Sequence, residues 1–257
     1  QPKGRAHLSL SPKPCPQKGE GCDFRPTEAG DVAYLLTYFQ FMLMPMKLYN
    51  YFRSSASFRV RIALALKGLP YQYLSVHLAK GEQFQAAFTE LNGDALVPVL
   101  EVDGLRLTQS MAIMEYLDET HPTPALLPAD AAGRARVRAL SQSIACEIHP
   151  INDLRILKYL SGTLKVDEDT KNTWYRHWVD LGLQAFEKQL ALQPHHRFCH
   201  GDTPTMADCV LVPQIFNAQR FKVDLSGFPL TMAVFQACMA LPAFQQAQPS
   251  ACPDFEP

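Results

Sequence analysis

Two hydrophobic periods succeed one another along the chain from residue 46 onward. A short apolar run predicts a strand over Lys47–Tyr51. The next apolar stretch, Ser57–Lys67, has helical spacing, and Gly68 stands where a helix would end. Tyr71–His77 reads as a second strand, carried by β-favouring Tyr71, Tyr73 and Val76. Glu82–Leu91 is predicted helical. Val97–Val102 follows as a strand with Pro98 near its start, a position a strand tolerates. Asp103-Gly104 then makes a two-residue turn into an antiparallel partner, Leu105–Leu107. Gln109–Glu119 closes the series as a helix with Met111, Ile113, Met114 and Leu117 on its apolar side.

This βαβαββα order implies a mixed sheet with helices on its faces, the order of a thioredoxin-like domain. In such a domain a proline opens the third strand, and Pro98 occupies that place. Beyond residue 129 the strand signals stop. Helical patterns cover Gly133–Tyr159, Asp169–Leu192, Met206–Phe221 and Leu230–Met239. Thr205-Met206-Ala207-Asp208 resembles a capping box with Asp in place of the usual Glu. The segment Thr120–Asp130, with three prolines, reads as a linker. The expected organisation is therefore an N-terminal extension over residues 1–45, an α/β domain over 46–127 and an all-α domain over 128–257. The extension differs in character from the rest: Gln1–Gly30 is rich in Pro, Gly and charge, the composition of a disordered segment. The apolar stretch Asp31–Pro45 is preceded by acidic residues and followed by no small-x-small cleavage site, so it does not read as a signal peptide. It is expected to lie outside the fold, with Met46 as the natural start; a short helix docked on the domain is the alternative.

Composition narrows the function classes. The chain has 257 residues, 47% of them hydrophobic, and a formal net charge of -1. Bulk charge gives no support to a nucleic-acid or membrane-surface role, and no apolar run reaches the length of a membrane span. The 7 cysteines are odd in number and scattered. Cys146, Cys209 and Cys238 fall within apolar helical patterns and read as reduced core residues, which favours a reducing compartment.

The chemistry concentrates at residues 53–61. Ser54 and Ser55 stand at the start of a helix, beside its unpaired N–H groups, where an anion or a thiolate is stabilised. Arg53, Arg59 and Arg61 crowd the same point, although positive charge there opposes the helix dipole. An anionic ligand accounts for them. The competing reading is that Arg59 and Arg61 face solvent or pair with carboxylates. His195–His200 is rich in metal-ligand types, but it lacks a second ligand pair at zinc-finger spacing, so no metal site is expected.

Arg53-Ser54-Ser55-Ala56-Ser57-Phe58-Arg59-Val60-Arg61 closely resembles the serine motif of the zeta class of glutathione transferases. Further matches are Leu96–Leu100, Gln109–Ile113, His149–Leu154, Gly201–Asp208 and Arg220–Leu225. The likeness runs from Met46 almost to the C-terminus. It implies an α+β two-domain glutathione-transferase fold, usually a cytoplasmic homodimer, with glutathione as cofactor. The implied activity is glutathione-dependent cis–trans isomerisation of maleylacetoacetate, a step of tyrosine breakdown, by reversible thiolate addition to the double bond. Maleylpyruvate isomerisation and transfer to small α-halo acids are the neighbouring alternatives. A non-catalytic binding protein with this fold would be expected to lose the thiol-activating hydroxyl, which is present. A disulfide reductase would need a cysteine where Ala56 stands; many members carry one there, and this chain does not.

The resemblance also assigns roles. Ser54, with Ser55, would hold the glutathione sulfur as thiolate. Val97 and Pro98 would present backbone groups to the cysteinyl part, Gln109 and Ser110 would meet the γ-glutamyl end, and Gln83 the glycyl end. Alone, Ser54 and Ser110 read as plain helix caps, Val97 as strand packing and Gln83 as a surface residue. Arg53, Arg155 and Arg220 are the candidates for the substrate carboxylates, since arginine binds them in a bidentate manner. Arg220 alternatively caps a helix C-terminus. His149 and Asp153 are expected one helical turn apart bordering the glutathione site, or else paired with each other for structure.

Overall fold

The computed structural model describes residues 46–193 and 196–256. The N-terminal extension expected over 1–45 and His195 lie outside the described residues.

Four strands form one sheet: β1 (Met46–Asn50), β2 (Tyr71–Ser75), β3 (Val99–Val102) and β4 (Leu105–Thr108). Their order is β2-β1-β3-β4, with β1 parallel to β2 and antiparallel to β3. The parallel pair needs a crossover, and α1 (Ser55–Leu66) supplies it. That helix is buried around most of its circumference; Val60, Ile62, Ala63 and Leu64 are all fully enclosed. Each such aliphatic side chain contributes roughly 1.5–3 kcal/mol by leaving water. Gly68 terminates α1 as expected, with a positive φ of 64° that a β-carbon would disfavour. Asp103 and Gly104, at φ 50° and 76°, form the tight β3–β4 turn. The Val97–Pro98 peptide is cis.

The predicted helix Glu82–Leu91 is instead two short pieces, a 3₁₀ turn at Glu82–Phe84 and α2 (Ala86–Thr89), preceded by a further 3₁₀ turn at Leu78–Lys80. Gly81 takes a left-handed conformation, and of the two phenylalanines Phe88 is buried while Phe84 is 67% exposed. One buried anchor is too few to hold a continuous amphipathic helix. Helix α3 (Ser110–Thr120) follows β4.

The linker is tied down at both ends of its path. Lys67 Nζ donates to Asp118 Oδ1 at 2.9 Å and to the carbonyls of His121 and Pro124. Leu126 N donates to Asp118 Oδ1, and Met206 N to Leu126 O. One continuous apolar core then runs from the sheet side, through Leu48 and Leu100, to Val137, Phe186 and Val212 on the helical side.

The long helix expected over Gly133–Tyr159 is broken. Helix α4 (Ala131–Gln142) passes into a π-helical stretch at Ser143–Ile148, then a 3₁₀ turn at Pro150–Asn152, before α5 (Leu154–Gly162). Pro150 lacks the N–H an α-helix would need, and Asp153 restarts the helix by accepting from the N–H groups of Arg155 and Ile156. A β-carbon on Gly182 would collide with Ile148, so the glycine is what lets α6 (Glu168–Ala191) approach the π stretch. The last helices are α7 (Met206–Arg220), α8 (Pro229–Met239) and α9 (Pro242–Ala247), the last of them too short for periodicity to reveal. The predicted capping box is present: Asp208 accepts from the Thr205 N–H and hydroxyl at 2.7 and 2.9 Å.

Candidate active site

Residues 51–55 turn sharply from β1 into α1 and form one wall of a cleft of about 570 Å³. Ser54 is the N-cap of α1, and its Oγ accepts from Ser57 N at 3.2 Å. Because that bond uses the oxygen as acceptor, the hydroxyl proton remains available to a group in the cleft. No acidic residue stands in the first turn of α1 to offset its dipole. Ser55 is buried and accepts a hydrogen bond from the Asn217 amide, which locks α7 against the start of α1.

The opposite wall comes from the helical side. Asn152 is buried beside the cleft, and neither its Nδ2 nor its Oδ1 has a hydrogen-bond partner. Gln83, also in the lining, is buried with Oε1 equally unpartnered. Buried amide atoms are expensive to leave unsatisfied, so both side chains are shaped to meet a polar ligand. A peptide-like molecule fits these donors and acceptors. Val97, just before the cis-proline, also lines the cleft.

Positive charge gathers at the mouth. Arg53, Arg155 and Arg220 all line the cleft, as does Lys158. Arg220, the last residue of α7, lies over the Phe221 ring at 5.0 Å, and that ring stacks on Tyr175 at 3.7 Å. Burial lowers the pKa of Arg220, and the nearby Arg53 charge lowers it further. Two guanidiniums lining one cleft favour an anionic ligand there. Arg155 reaches the cleft as expected but is already engaged there. Its side chain is held by Asp153, with Nη2–Oδ2 at 2.8 Å, so its charge is largely matched within the protein. Asp153 thus serves as a helix cap and arginine partner.

His149 lies at the junction of the π stretch and the 3₁₀ turn, and not one α-helical turn from Asp153. Burial, then Arg59, then Arg155 push its pKa down to about 3. It is therefore neutral at ordinary pH. In the unfolded chain the same imidazole gains its proton near pH 6.5. Folding then excludes that proton between pH 6.5 and about 3, and stability falls as pH drops through this window. The expected slope from this residue is at most about 1.4 kcal/mol per pH unit. His149→Gln should flatten the acid limb of a urea-midpoint-versus-pH curve; an unchanged limb would contradict this assignment.

Of the remaining expected residues, Gln109 and Ser110 sit at the start of α3, away from the cleft lining. Ser110 does not cap its helix: Gln109 occupies the cap position with φ 65°, and Ser110 Oγ instead accepts from Arg59 Nη1 at 3.2 Å. Arg59 and Arg61 are neither solvent-facing nor in the cleft. Both are buried, and burial lowers the pKa of Arg59 to about 10, so it stays charged. Arg61 binds Asn50 Oδ1 and the carbonyls of Tyr51, Phe52 and Ala247 at 2.9–3.3 Å. Sequence reasoning missed Asn152, Tyr175 and Asn217 as cleft residues. Only the unusual Pro-Ile-Asn-Asp break hinted at the first. Among the described residues no group of three or more His, Cys, Asp or Glu is arranged to hold a metal ion.

Comparison with known proteins decides the family. The pattern described as "Glutathione S-transferase, N-terminal domain" matches residues 44–119, and that described as "Glutathione S-transferase, C-terminal domain" matches 179–242. A maleylpyruvate isomerase from a Ralstonia species is 54% identical over 210 residues, 81% of this chain and 99% of the relative. A solved holo structure of a maleylpyruvate isomerase, described as a bacterial zeta-class glutathione S-transferase, superposes with a TM-score of 0.80 at 54% identity. It covers 82% of this chain and all of that one. The chain belongs to the zeta class of the glutathione S-transferase family. A maleylacetoacetate isomerase from Anaeromyxobacter dehalogenans, solved with glutathione in its active site, is similar to this glutathione S-transferase at 47% identity and a TM-score of 0.75. That likeness covers 82% of this chain and 98% of the other.

Proposed function

We propose that this zeta-class transferase is a glutathione-dependent cis–trans isomerase that converts maleylacetoacetate to fumarylacetoacetate. The observation that carries the reading is the pairing, in one cleft, of a helix-start hydroxyl at Ser54 with two arginines, Arg53 and Arg220. Glutathione supplies a thiolate that adds reversibly to the cis double bond, leaving a single bond that can rotate before the thiolate departs.

The chain's own residues do the rest. Ser54 donates a hydrogen bond to the sulfur and, with Ser55 and the start of α1, keeps it ionised. Val97 and Pro98 offer backbone groups to the cysteinyl part and Gln83 meets the glycyl end; Gln109 and Ser110, which do not line the cleft, are assigned the γ-glutamyl end by the class resemblance alone. Asn152 joins this set through its unpartnered amide. His149 and Asp153 border the same site, His149 as a neutral wall and Asp153 as the holder of Arg155. Arg53 and Arg220 clamp the substrate carboxylates, with Arg155 in a lesser role because Asp153 already engages it. Residues 46–127 thereby carry the glutathione half of the site, and 128–257 the wall facing it.

The five described cysteines are all free, which supports a reducing, cytoplasmic setting. No helix among the described residues is long and apolar enough to cross a membrane. A homodimer is the assembly we expect from the class.

Maleylpyruvate is the second reading, and the 54% identity to the Ralstonia enzyme favours it. Both acids need the same thiolate and clamp. An absorbance assay on each acid, with and without glutathione, separates the readings. The expected result is turnover only with glutathione and a higher kcat/KM on maleylacetoacetate. Equal conversion without the tripeptide would refute the proposal. Arg53→Ala and Arg220→Ala should each raise the KM for the diacid about tenfold or more and leave glutathione affinity within about twofold. If neither KM moves, the clamp is wrongly placed.

A further inference from the structure

The last described residues of the chain cross to the sheet side and end against the turn that bears Arg53. Cys252 is buried in a small apolar cluster with Tyr51, Phe52 and Val76. Phe255 packs edge-on against Phe52 with ring centroids 5.6 Å apart. The Asp254 carboxylate accepts from Phe52 N at 3.3 Å, from Ser75 Oγ at 2.8 Å and from the Tyr73 hydroxyl. The Glu256 carboxylate takes Lys80 Nζ at 2.7 Å and His77 Nε2 at 3.2 Å. Finally, Arg53 Nη2 donates to the Glu256 backbone carbonyl at 3.1 Å.

The division of labour within Glu256 is informative. Its carboxylate is engaged by Lys80 and His77, and its backbone carbonyl takes the Arg53 guanidinium. This hydrogen bond orients the guanidinium. The carboxylate, for its part, holds that carbonyl in place. Asp254, meanwhile, pins the backbone of the residue before Arg53.

We propose that Asp254 and Glu256 are positioning residues for Arg53, and that through it they set the affinity of the site for the substrate's carboxylate. The inference rests on the reading of Arg53 as a carboxylate clamp. Preorganisation of this kind acts on substrate binding and leaves the sulfur-activating end at Ser54 untouched.

The test uses the full chain with Asp254→Asn, Glu256→Gln and Arg53→Ala, singly and in combination. Asp254→Asn and Glu256→Gln should each raise the diacid KM about five- to tenfold, with kcat and glutathione affinity changed less than about twofold. In the Arg53→Ala background the same changes should have no further effect on KM, the signature of action through that guanidinium. Glu256→Gln alters a half-exposed side chain and so keeps the test open if Asp254→Asn folds poorly. If Arg53→Ala raises KM and the other two variants do not, the positioning role is overturned and the clamp stands. Loss of thermal stability alone, with KM unmoved, likewise overturns the positioning role. If Arg53→Ala leaves KM unchanged, both readings fall.

Discussion

Replacing Ser54 with Ala is expected to lower kcat by about two to three orders of magnitude, the loss typical of removing one preorganised donor from a developing or resident anion. Glutathione affinity should change by less than about threefold, because the proposed contacts to the tripeptide's two ends come from other residues. The Ser54 oxygen accepts from the Ser57 N–H, which leaves its hydroxyl proton free to donate to a group in the cleft. A free thiol ionises near pH 8.5, and such a donor at a helix start brings that value down. In Ser54→Ala the ultraviolet thiolate band of bound glutathione should accordingly titrate at higher pH than in the parent enzyme. Loss of the N-cap will also cost about 1 kcal/mol of stability, which is too small to account for the kinetic effect. Unchanged kcat at saturating glutathione, or an unshifted thiolate titration, would remove Ser54 from the mechanism.

Arg61→Met should destabilise the fold by about 3–5 kcal/mol, the cost of stranding several buried acceptors at once. Arg61 is 2% exposed and has no carboxylate partner in its bonding set. Its guanidinium instead gathers Asn50 Oδ1, Tyr51 O and Phe52 O at the end of β1 and joins them to Ala247 O at the end of α9. Methionine matches the stem and supplies none of those donors. Since the three β1-side acceptors flank the turn that presents Arg53 and Ser54, activity should decline before global unfolding as denaturant is raised. Urea midpoints of parent and variant measure the loss. A difference below about 1 kcal/mol would show that the arginine is dispensable to the fold.

The contrast between Arg61 and Arg53 marks where sequence reading reaches its limit. Both lie in one motif, and both look like anion-binding residues by spacing. The structure divides them: Arg53 lines the cleft, Arg61 fastens the core, and Arg59 is buried against Ser110. Helical position alone cannot make that division here, because α1 is enclosed on nearly every side and has no solvent face to which charged residues would default. The same limit applies to Asn152. Its amide matters because a π stretch and a 3₁₀ turn carry it to the cleft wall, and neither is encoded in a 3.6-residue period. Counting residues puts His149 and Asp153 on one helix; Pro150 between them makes that counting invalid.

Local chemistry alone determined the succession of strands and helices in the first domain apart from residues 82–91, the α1 start at Ser54, the Asp103-Gly104 turn and the Asp208 capping box. Each depends on a handful of neighbouring residues whose conformational preferences act over one or two turns of chain. Only the tertiary structure decided which arginines face the ligand, which amides are buried without partners, and how Asp254 and Glu256 reach the distant turn at residues 52 and 53. Those outcomes depend on burial and on contacts between distant segments, and both are set by how the helical half closes over the sheet.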